Sequence, residues 1–177
     1  MKTQCPGCQA VLVCSANALP CWCQALPSLP KPAYQDRSCL CATCLQAELM
    51  QGVVLFGIPN CDTVKKARAW LAAQGVEYTF WDFKKHGVPE ALLLQWVEAL
   101  GWQTVLNTRG TTWRGLPDAA KACAVDAPSA IALMLTQSSL IKRPVVNWGA
   151  AITTSKQAAV TVGFDTAAWE ARLRQPD

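Results

Sequence analysis

Cysteine is distributed very unevenly along this chain of 177 residues. Eight of its ten cysteines lie in the first 44 residues, and only Cys61 and Cys123 lie beyond them. Few aliphatic side chains accompany the first group, and a segment of about 46 residues cannot bury enough apolar surface to fold unaided. The asymmetry therefore predicts two units, a cysteine-rich metal-binding module at residues 1–46 and a larger domain at residues 52–174.

The N-terminal cysteines are spaced as a C-x2-C pair, a single cysteine, a C-x-C pair and a C-x-C-x2-C group. Eight thiolates divide into two tetrahedral sets of four, and zinc is the expected ion because it is redox-inert and prefers such sites. We therefore expect two zinc ions; a disulfide framework and an iron–sulfur cluster are the alternatives. The spacing leaves open which cysteines share an ion. The predicted metal ligands are Cys5, Cys8, Cys14, Cys21, Cys23, Cys39, Cys41 and Cys44.

Charge and hydropathy restrict the compartment and the partners. The basic start and unbroken apolar stretch of a secretory signal are missing, and no apolar run approaches the roughly 20 residues of a membrane-spanning helix. We therefore expect a cytoplasmic protein with no membrane partner, in a compartment that keeps thiols reduced. The formal charge of +4 falls to near zero once the N-terminal thiolates bind divalent ions, so nucleic acid is not an expected partner.

From residue 52 the sequence alternates between strand and helix patterns. An apolar run predicts a buried strand, a polar break containing Cys61 follows, and apolar residues at helical spacing then run to Gly75. The order β-α-β, helices, β-β-α predicts a mixed α/β domain. We expect strands at residues 53–56, 76–81, 144–147 and 159–162, helices starting at 62, 89, 117 and 165, a loop at 107–116, and a connecting helix at 45–51.

Cys61 lies between the first predicted strand of this domain and the helix that follows it. Unpaired backbone N–H groups and the positive end of the helix dipole favour a thiolate at that position. Lys65 and Lys66, one turn further on, add positive charge, and Asp62 opposes it. The pattern indicates a reactive thiol, and the alternative is a small residue packed at a turn.

Three segments of the second unit carry a family resemblance. They are FGIPNCDTVKKARA at residues 56–69, LNTRGTTWR at 106–114 and IKRPVV at 141–146. Together they resemble the arsenate reductase (ArsC) family and are most similar to its YffB-like branch, whose relatives include the Spx regulators. The resemblance spans residues 52–174 and implies a thioredoxin-like fold with a helical insertion.

The same resemblance implies roles for individual residues. Cys61 would be the redox nucleophile, and Arg143 would be the catalytic residue that binds an anion. Pro144 would be a cis-proline that faces the Cys61 loop and contributes to substrate binding. A cis peptide at that point sets Arg143 beside the loop, and a guanidinium can hold an oxyanion or a thiolate by charge-assisted hydrogen bonds.

A single nucleophile needs an outside thiol to complete a catalytic cycle. Val64 stands where the C-x-x-C switch of Spx relatives has its second cysteine, so no local disulfide can form with Cys61. A monothiol cycle through a mixed disulfide is therefore expected, with glutathione as co-substrate and glutathione or a thiol-protein substrate as partner. Lys65 and Arg109 are expected to bind the carboxylates of glutathione together with Arg143.

Three further residues, Asn107, Thr161 and Cys123, bear on the substrate and the mechanism. Three arginines hold the oxyanion in arsenate reductases, but only Arg143 is matched, since Asn107 and Thr161 stand near the other two positions. Arsenate is therefore not the expected substrate. Cys123 is expected to be a small buried residue, and a disulfide between Cys61 and Cys123 is the alternative.

The N-terminal segment carries a second resemblance. Cys21-Trp22-Cys23 and its flanking cysteine pairs resemble the bacterial cysteine-rich CWC family over about residues 4–46, which implies metal binding or redox sensing. The whole chain is thus predicted to be a glutathione-dependent thiol oxidoreductase fused to a zinc-binding module. The alternative is a non-catalytic, Spx-like regulatory module that senses redox state or metal and binds a protein such as RNA polymerase.

Overall fold

The computed structural model describes residues 2–13, 23, 26–27, 39–149, 152 and 159–174. Within these ranges the chain forms six strands, nine α-helices and a 3₁₀ turn at Ser138–Leu140. The strands are β1 (Lys2–Gln4), β2 (Val11–Val13), β3 (Val53–Gly57), β4 (Tyr78–Asp82), β5 (Val145–Asn147) and β6 (Val160–Val162). The helices are α1 (Ala42–Gln51), α2 (Asp62–Ala73), α3 (Phe83–His86), α4 (Glu90–Leu100), α5 (Trp102–Val105), α6 (Thr111–Arg114), α7 (Asp118–Ala122), α8 (Ala127–Thr136) and α9 (Thr166–Leu173).

Strand β3 lies inside a four-stranded mixed sheet with the order β4-β3-β5-β6. It pairs in parallel with β4 and antiparallel with β5, and β6 pairs antiparallel with β5. The parallel pair requires a crossover connection, which α2 supplies. Helices α3 to α8 are inserted between β4 and β5. The predicted α/β class with a helical insertion is therefore confirmed.

Both faces of β3 are covered by helices, and all five of its residues are buried. Phe56 faces one core, where its ring contacts Trp96 of α4 at a centroid distance of 4.8 Å. Leu55 faces the other core, which includes Val64 and Leu71 of α2. A continuous apolar run, rather than an alternating one, is typical of a strand that is covered on both faces.

A small hairpin at the N-terminus was not expected from the sequence. Strands β1 and β2 are antiparallel with Thr3 opposite Leu12. Their turn is closed by two backbone hydrogen bonds of 2.8 Å, from Cys5 N–H to the Ala10 carbonyl and from Gln9 N–H to the Cys5 carbonyl. The three residues of β1 are all polar, so this strand carries no apolar pattern that would reveal it.

The connecting helix α1 begins at Ala42, three residues before its predicted start. Cys41 caps it, because its sulfur accepts a hydrogen bond of 3.4 Å from the Cys44 backbone N–H. Cysteine is not among the residues that normally signal a helix start. The helix runs across residue 46, so the boundaries 1–46 and 52–174 stay a prediction.

The predicted loop at residues 107–116 contains a single helical turn, α6. Backbone N–H groups of Arg114 and Gly115 donate to the carbonyls of Gly110 and Thr111 at 3.2 and 3.0 Å. A turn this short is stabilised by its surroundings rather than by local propensity, so the polar, glycine-containing sequence gave no helical signal.

Candidate functional site

Cys61 occupies the end of a short loop that leaves the buried strand β3. It is the N-cap residue of α2, is only partly exposed, and makes no side-chain capping hydrogen bond. The loop is tight because Gly57 lies directly against Val64, and a Cβ on Gly57 would approach the Val64 Cγ2 to 2.8 Å. The strand and the close glycine contact therefore fix the sulfur at the positive end of a 12-residue helix.

The charges on the first turn of α2 partly compensate each other. Lys65 Nζ lies 3.6 Å from Asp62 Oδ1, and both side chains are exposed. An exposed pair of this kind is weak, so the lysine can turn toward another anion at little cost. Lys65 thus lies one turn from the sulfur, as the sequence predicted, with its ammonium group still available to solvent.

The start of β5 lies at the same edge of the sheet as the Cys61 loop. Val145 is paired with Phe56, so the buried Pro144 adjoins the end of β3 from which the loop departs. The peptide between Arg143 and Pro144 is cis, as the family resemblance implied. Gly163 N–H donates to the Pro144 carbonyl at 2.8 Å. Strand pairing therefore brings together two segments that are separated by more than 80 residues.

Part of the Arg143 guanidinium is occupied by its own loop. Nη1 donates to the carbonyls of Ser139 and Ile141 at 2.8 and 3.3 Å. Nε is buried and has no hydrogen-bond partner within the described part of the chain. The side chain therefore bonds to the 3₁₀ turn and to the residue that follows it, and its anion-binding role stays a prediction.

Arg109 lies on an exposed turn beside this loop. Residue Leu106 forms an isolated bridge with Ile141, and Asn107 N–H donates to the Leu140 carbonyl at 2.7 Å. The Asn107 side chain in turn accepts the Arg109 backbone N–H at 3.3 Å. The structure thus places the Arg109 turn next to the segment that leads to Arg143, while its contact with a substrate stays a prediction.

Four of the eight predicted metal ligands lie together. The sulfur atoms of Cys5, Cys8, Cys41 and Cys44 all lie within 4.8 Å of one another. The Cys8 and Cys41 sulfurs are 3.6 Å apart, and the edge of a zinc–thiolate tetrahedron with bonds of about 2.3 Å is about 3.8 Å. These four residues can therefore hold a metal ion.

Hydrogen bonds shift the pKa values of two of these thiols in opposite directions. The backbone N–H of Cys41, 3.3 Å from the Cys5 sulfur, lowers the pKa of Cys5 to about 6. Hydrogen bonds with the Cys41 and Cys8 side chains raise the pKa of Cys44 to about 12. Four neighbouring thiols cannot all ionise without a cation, and a divalent ion removes that repulsion.

The other predicted ligands are not part of this group. Cys14 and Cys21 lie outside the described residues. Cys23 is half-buried and Cys39 is exposed, and among the residues described they do not join the four clustered sulfurs. The sites of these four cysteines stay a prediction.

The prediction that Cys123 is buried is wrong. This residue lies at the C-terminus of α7 and is an exposed, reduced thiol. Helix α7 has no buried residue, so the end of the helix projects from the surface instead of packing into a core.

Within the described part of the chain, no helix is long and apolar enough to cross a membrane.

Sequence reasoning missed two glycines that shape these sites. A Cβ on Gly7 would lie 3.0 Å from the Cys44 sulfur, and one on Gly57 would meet Val64. Gly7 lies between Cys5 and Cys8, and Gly57 lies four residues before Cys61. Their positions near cysteines were the only sign in the sequence that these glycines matter. Their neighbours come from other segments, so the need for glycine follows from contacts that spacing does not reveal.

Comparisons with known proteins identify the second unit. A family model described as ArsC family matches residues 56–172. The solved structure of a YFFB protein is 45% identical with a TM-score of 0.60, covering 68% of this chain and 98% of that chain. The structure of an arsenate reductase (ArsC) related protein from Brucella melitensis is 41% identical with a TM-score of 0.52, covering 70% and 96%.

A curated relative supports the same assignment. An uncharacterized protein of Haemophilus influenzae is 37% identical over 94 residues, which are 53% of this chain and 82% of that protein. These likenesses confirm the predicted thioredoxin-like fold, whereas the resemblance of the N-terminal segment to the CWC family stays a prediction. With its matching residues running from the end of β3 into α9, the chain belongs to the ArsC family.

Proposed function

We propose that this protein is a cytoplasmic thiol oxidoreductase that uses Cys61 as its single nucleophile and glutathione as its co-substrate. The observation that carries the proposal is the partly exposed residue Cys61 at the N-terminus of α2, on the sheet edge where the cis-Pro144 peptide lies. Helix N–H groups stabilise negative charge at this point, and partial exposure admits a substrate. Membership of the ArsC family supports a thiol-based reaction.

The proposed reaction exchanges one disulfide for another. The Cys61 thiolate attacks a glutathione mixed disulfide at the glutathione sulfur, which forms a Cys61–glutathione disulfide and releases the substrate as a thiolate that takes a proton from water. A second glutathione thiolate then attacks the glutathione sulfur of that adduct. Oxidised glutathione leaves, and Cys61 returns as a thiolate.

Three basic side chains are proposed to bind the glutathione carboxylates. Lys65 extends from the first turn of α2, while Arg109 and Arg143 lie on neighbouring loops that meet at the Leu106–Ile141 bridge. Pro144 would shape the surface that receives the glutathione backbone. Arsenate is not proposed as the substrate, because Arg143 is the one clear match to the three arginines that hold it.

The position of Val64 argues against a redox switch of the Spx type. Val64 is fully buried against Gly57, where a second cysteine would have to stand to pair with Cys61. We therefore do not propose RNA polymerase as a partner. The N-terminal cysteines are proposed to bind zinc in two sets of four thiolates, since soft thiolates select this ion over hard cations.

Glutathione adducts on the native chain test the catalytic proposal. After treatment with oxidised glutathione, peptide mass spectrometry should find the adduct on Cys61, and Cys61→Ser should abolish both the adduct and glutathione-dependent reduction of a mixed disulfide. Cys123→Ser is the matched control, because it removes the other cysteine of the second unit, which is exposed, and should leave activity unchanged. Full activity in Cys61→Ser would refute the proposal.

A further inference from the structure

We infer that Cys5, Cys8, Cys41 and Cys44 form one closed zinc site, which joins the N-terminal hairpin to helix α1 and through it to the sheet of the second unit. The inference rests on the zinc-binding part of the proposed function and names its ligands. It does not depend on Cys61.

The ligands come in two pairs from distant segments. Cys5 and Cys8 lie on the turn between β1 and β2, and Cys41 and Cys44 lie at the N-terminus of α1. Each pair has the C-x2-C spacing that lets two sulfurs reach one ion. With all four sulfurs within 4.8 Å of one another, a single ion can bridge the hairpin and the helix.

The surroundings of the four sulfurs are shaped for close contact. Cys5 is fully buried, and its sulfur accepts the Cys41 backbone N–H at 3.3 Å. A Cβ on Gly7 would lie 3.0 Å from the Cys44 sulfur and 3.3 Å from its Cβ. A side chain at residue 7 would crowd Cys44, so glycine there favours the close approach of the turn to the helix that a shared ion requires.

The chemistry of the donor set selects the ion and its role. Four thiolates are soft ligands that favour zinc over magnesium or calcium. Four protein ligands also fill a tetrahedral coordination sphere, which leaves no position for a substrate or a catalytic water. The site is therefore structural, and it lies in the unit that has little apolar core of its own.

The far end of α1 is built into the second unit. Leu49 is 1% exposed, and Met50 packs against the core that contains Phe56. Gly149, just after β5, lies so close that a Cβ there would meet the Gln51 carbonyl oxygen at 2.3 Å. An ion at the first turn of α1 thus anchors a helix whose last turn is fixed against the strand that follows Pro144.

Differential alkylation of the zinc-loaded full chain tests the ligand set. In the native protein loaded with zinc chloride, all four sulfurs should resist alkylation. In Cys44→Ser, Cys5, Cys8 and Cys41 should become reactive together, while Cys23 and Cys39 keep the reactivity they have in the native chain. Loss of protection at Cys23 or Cys39 with Cys5 still protected would overturn the assignment.

A second variant covers the case in which Cys44→Ser exposes every N-terminal thiol. Cys44→His retains a zinc ligand, and it should restore protection of Cys5, Cys8 and Cys41 together. Failure of that rescue would refute the shared site. Cobalt(II) in place of zinc gives an independent readout: with both proposed sites filled, the visible spectrum should report only four-sulfur sites in the native chain, and one site with three sulfur ligands in Cys44→His.

The result is separable from the outcome for Cys61. Metal protection is read from the N-terminal cysteines alone, so it stands or falls whether or not glutathione forms an adduct on Cys61. Hydrogen exchange supplies the link to the second unit: the first turn of α1 should exchange faster in Cys44→Ser, and unchanged exchange there would refute the anchoring of the helix.

Discussion

The segment before α1 and the ArsC-family domain differ in how much apolar surface they bury. The second unit has two apolar cores, one on each face of β3, with Phe56 and Trp148 among their fully buried side chains. In the N-terminal segment before α1, the residues whose burial is described include only two buried ones, Cys5 and Pro27. Burial of apolar surface can stabilise the second unit, but it is too small to stabilise the N-terminal segment.

The contrast explains why cysteines are dense in one unit and sparse in the other. A unit with little apolar core needs bonds of another kind, and the four clustered sulfurs supply donors for a metal ion. The second unit needs no such support, so its cysteines are available for other roles. Cys61 and Cys123 are accordingly reduced thiols at or near the surface.

Metal removal should have the largest effect, and it should change hydrogen-exchange protection in the N-terminal segment but not in the second unit. With a zinc chelator, backbone amides of the β1–β2 hairpin and the first turn of α1 should lose their protection, because the sulfurs no longer share a cation. Amides of β3 and β5 should remain protected by their apolar cores. Hydrogen exchange followed by mass spectrometry measures both regions at once.

Two outcomes would contradict this difference between the units. Unchanged exchange in the hairpin after complete zinc removal would show that the N-terminal segment folds without metal. Loss of protection in β3 together with the hairpin would show that the two units unfold as one.

Gly57→Ala should destabilise the second unit alone. The added Cβ would meet Val64 Cγ2 at 2.8 Å inside a packed core, which costs about 1–3 kcal/mol in the free energy of unfolding. The same change moves the Cys61 loop, so glutathione adduct formation should slow. Chemical denaturation and adduct kinetics measure the two effects.

Gly52→Ala is the matched control for this change. No atom lies within 4 Å of a Cβ built on Gly52, so both quantities should stay near their native values. Zinc binding should be native in both variants. A loss of zinc in Gly57→Ala would show that the strand and the metal site are more tightly linked than the separate cores suggest.

The smallest expected effect concerns acid stability at the start of α8. Hydrogen bonds from the Ser129 side chain and backbone lower the pKa of Asp126, which caps this helix. A lowered folded-state pKa adds stability that is complete above the unfolded value of about 3.9 and is lost as pH falls through the folded value. The Asp126 carboxylate should therefore make the thermal unfolding temperature of the second unit fall more steeply in acid than it would without this carboxylate.

Asp126→Asn separates the titration of the Asp126 carboxylate from its role as a helix cap. Asparagine also caps a helix but does not titrate, so the variant should match the native protein near neutral pH and lose less stability between about pH 5 and pH 2. Asp118→Asn, which removes an exposed carboxylate outside the cap, should keep the native acid profile. Identical profiles for Asp126→Asn and the native chain would contradict the role of the cap.

Much of the second unit was predictable because its signals are local. The apolar run of β3, the helix start after Cys61 and the helix start near residue 165 are all found where the sequence placed them. Each depends on neighbours within a few residues, so periodicity and capping preferences report it directly. The hairpin was missed because β1 is polar throughout, and α6 was missed because it is a single turn.

The candidate sites needed information of another kind. The cysteine count predicted a metal-binding module. It left open which cysteines share an ion, because any four of the eight thiolates could form a tetrahedral zinc site. Folding of the hairpin turn onto the first turn of α1 brought Cys5 and Cys8 to Cys41 and Cys44. No spacing rule predicts that contact, since it joins segments more than 30 residues apart.

The same division holds at Cys61. The order of residues dictated a thiol at the start of a helix, because helix initiation and the field of the helix end are properties of one short stretch of chain. The pairing of β3 with β5 decided that Pro144 and Arg143 lie at the same edge of the sheet, and it turned part of the Arg143 guanidinium toward its own loop. Such arrangements depend on how distant apolar surfaces pack, and packing is a property of the whole fold.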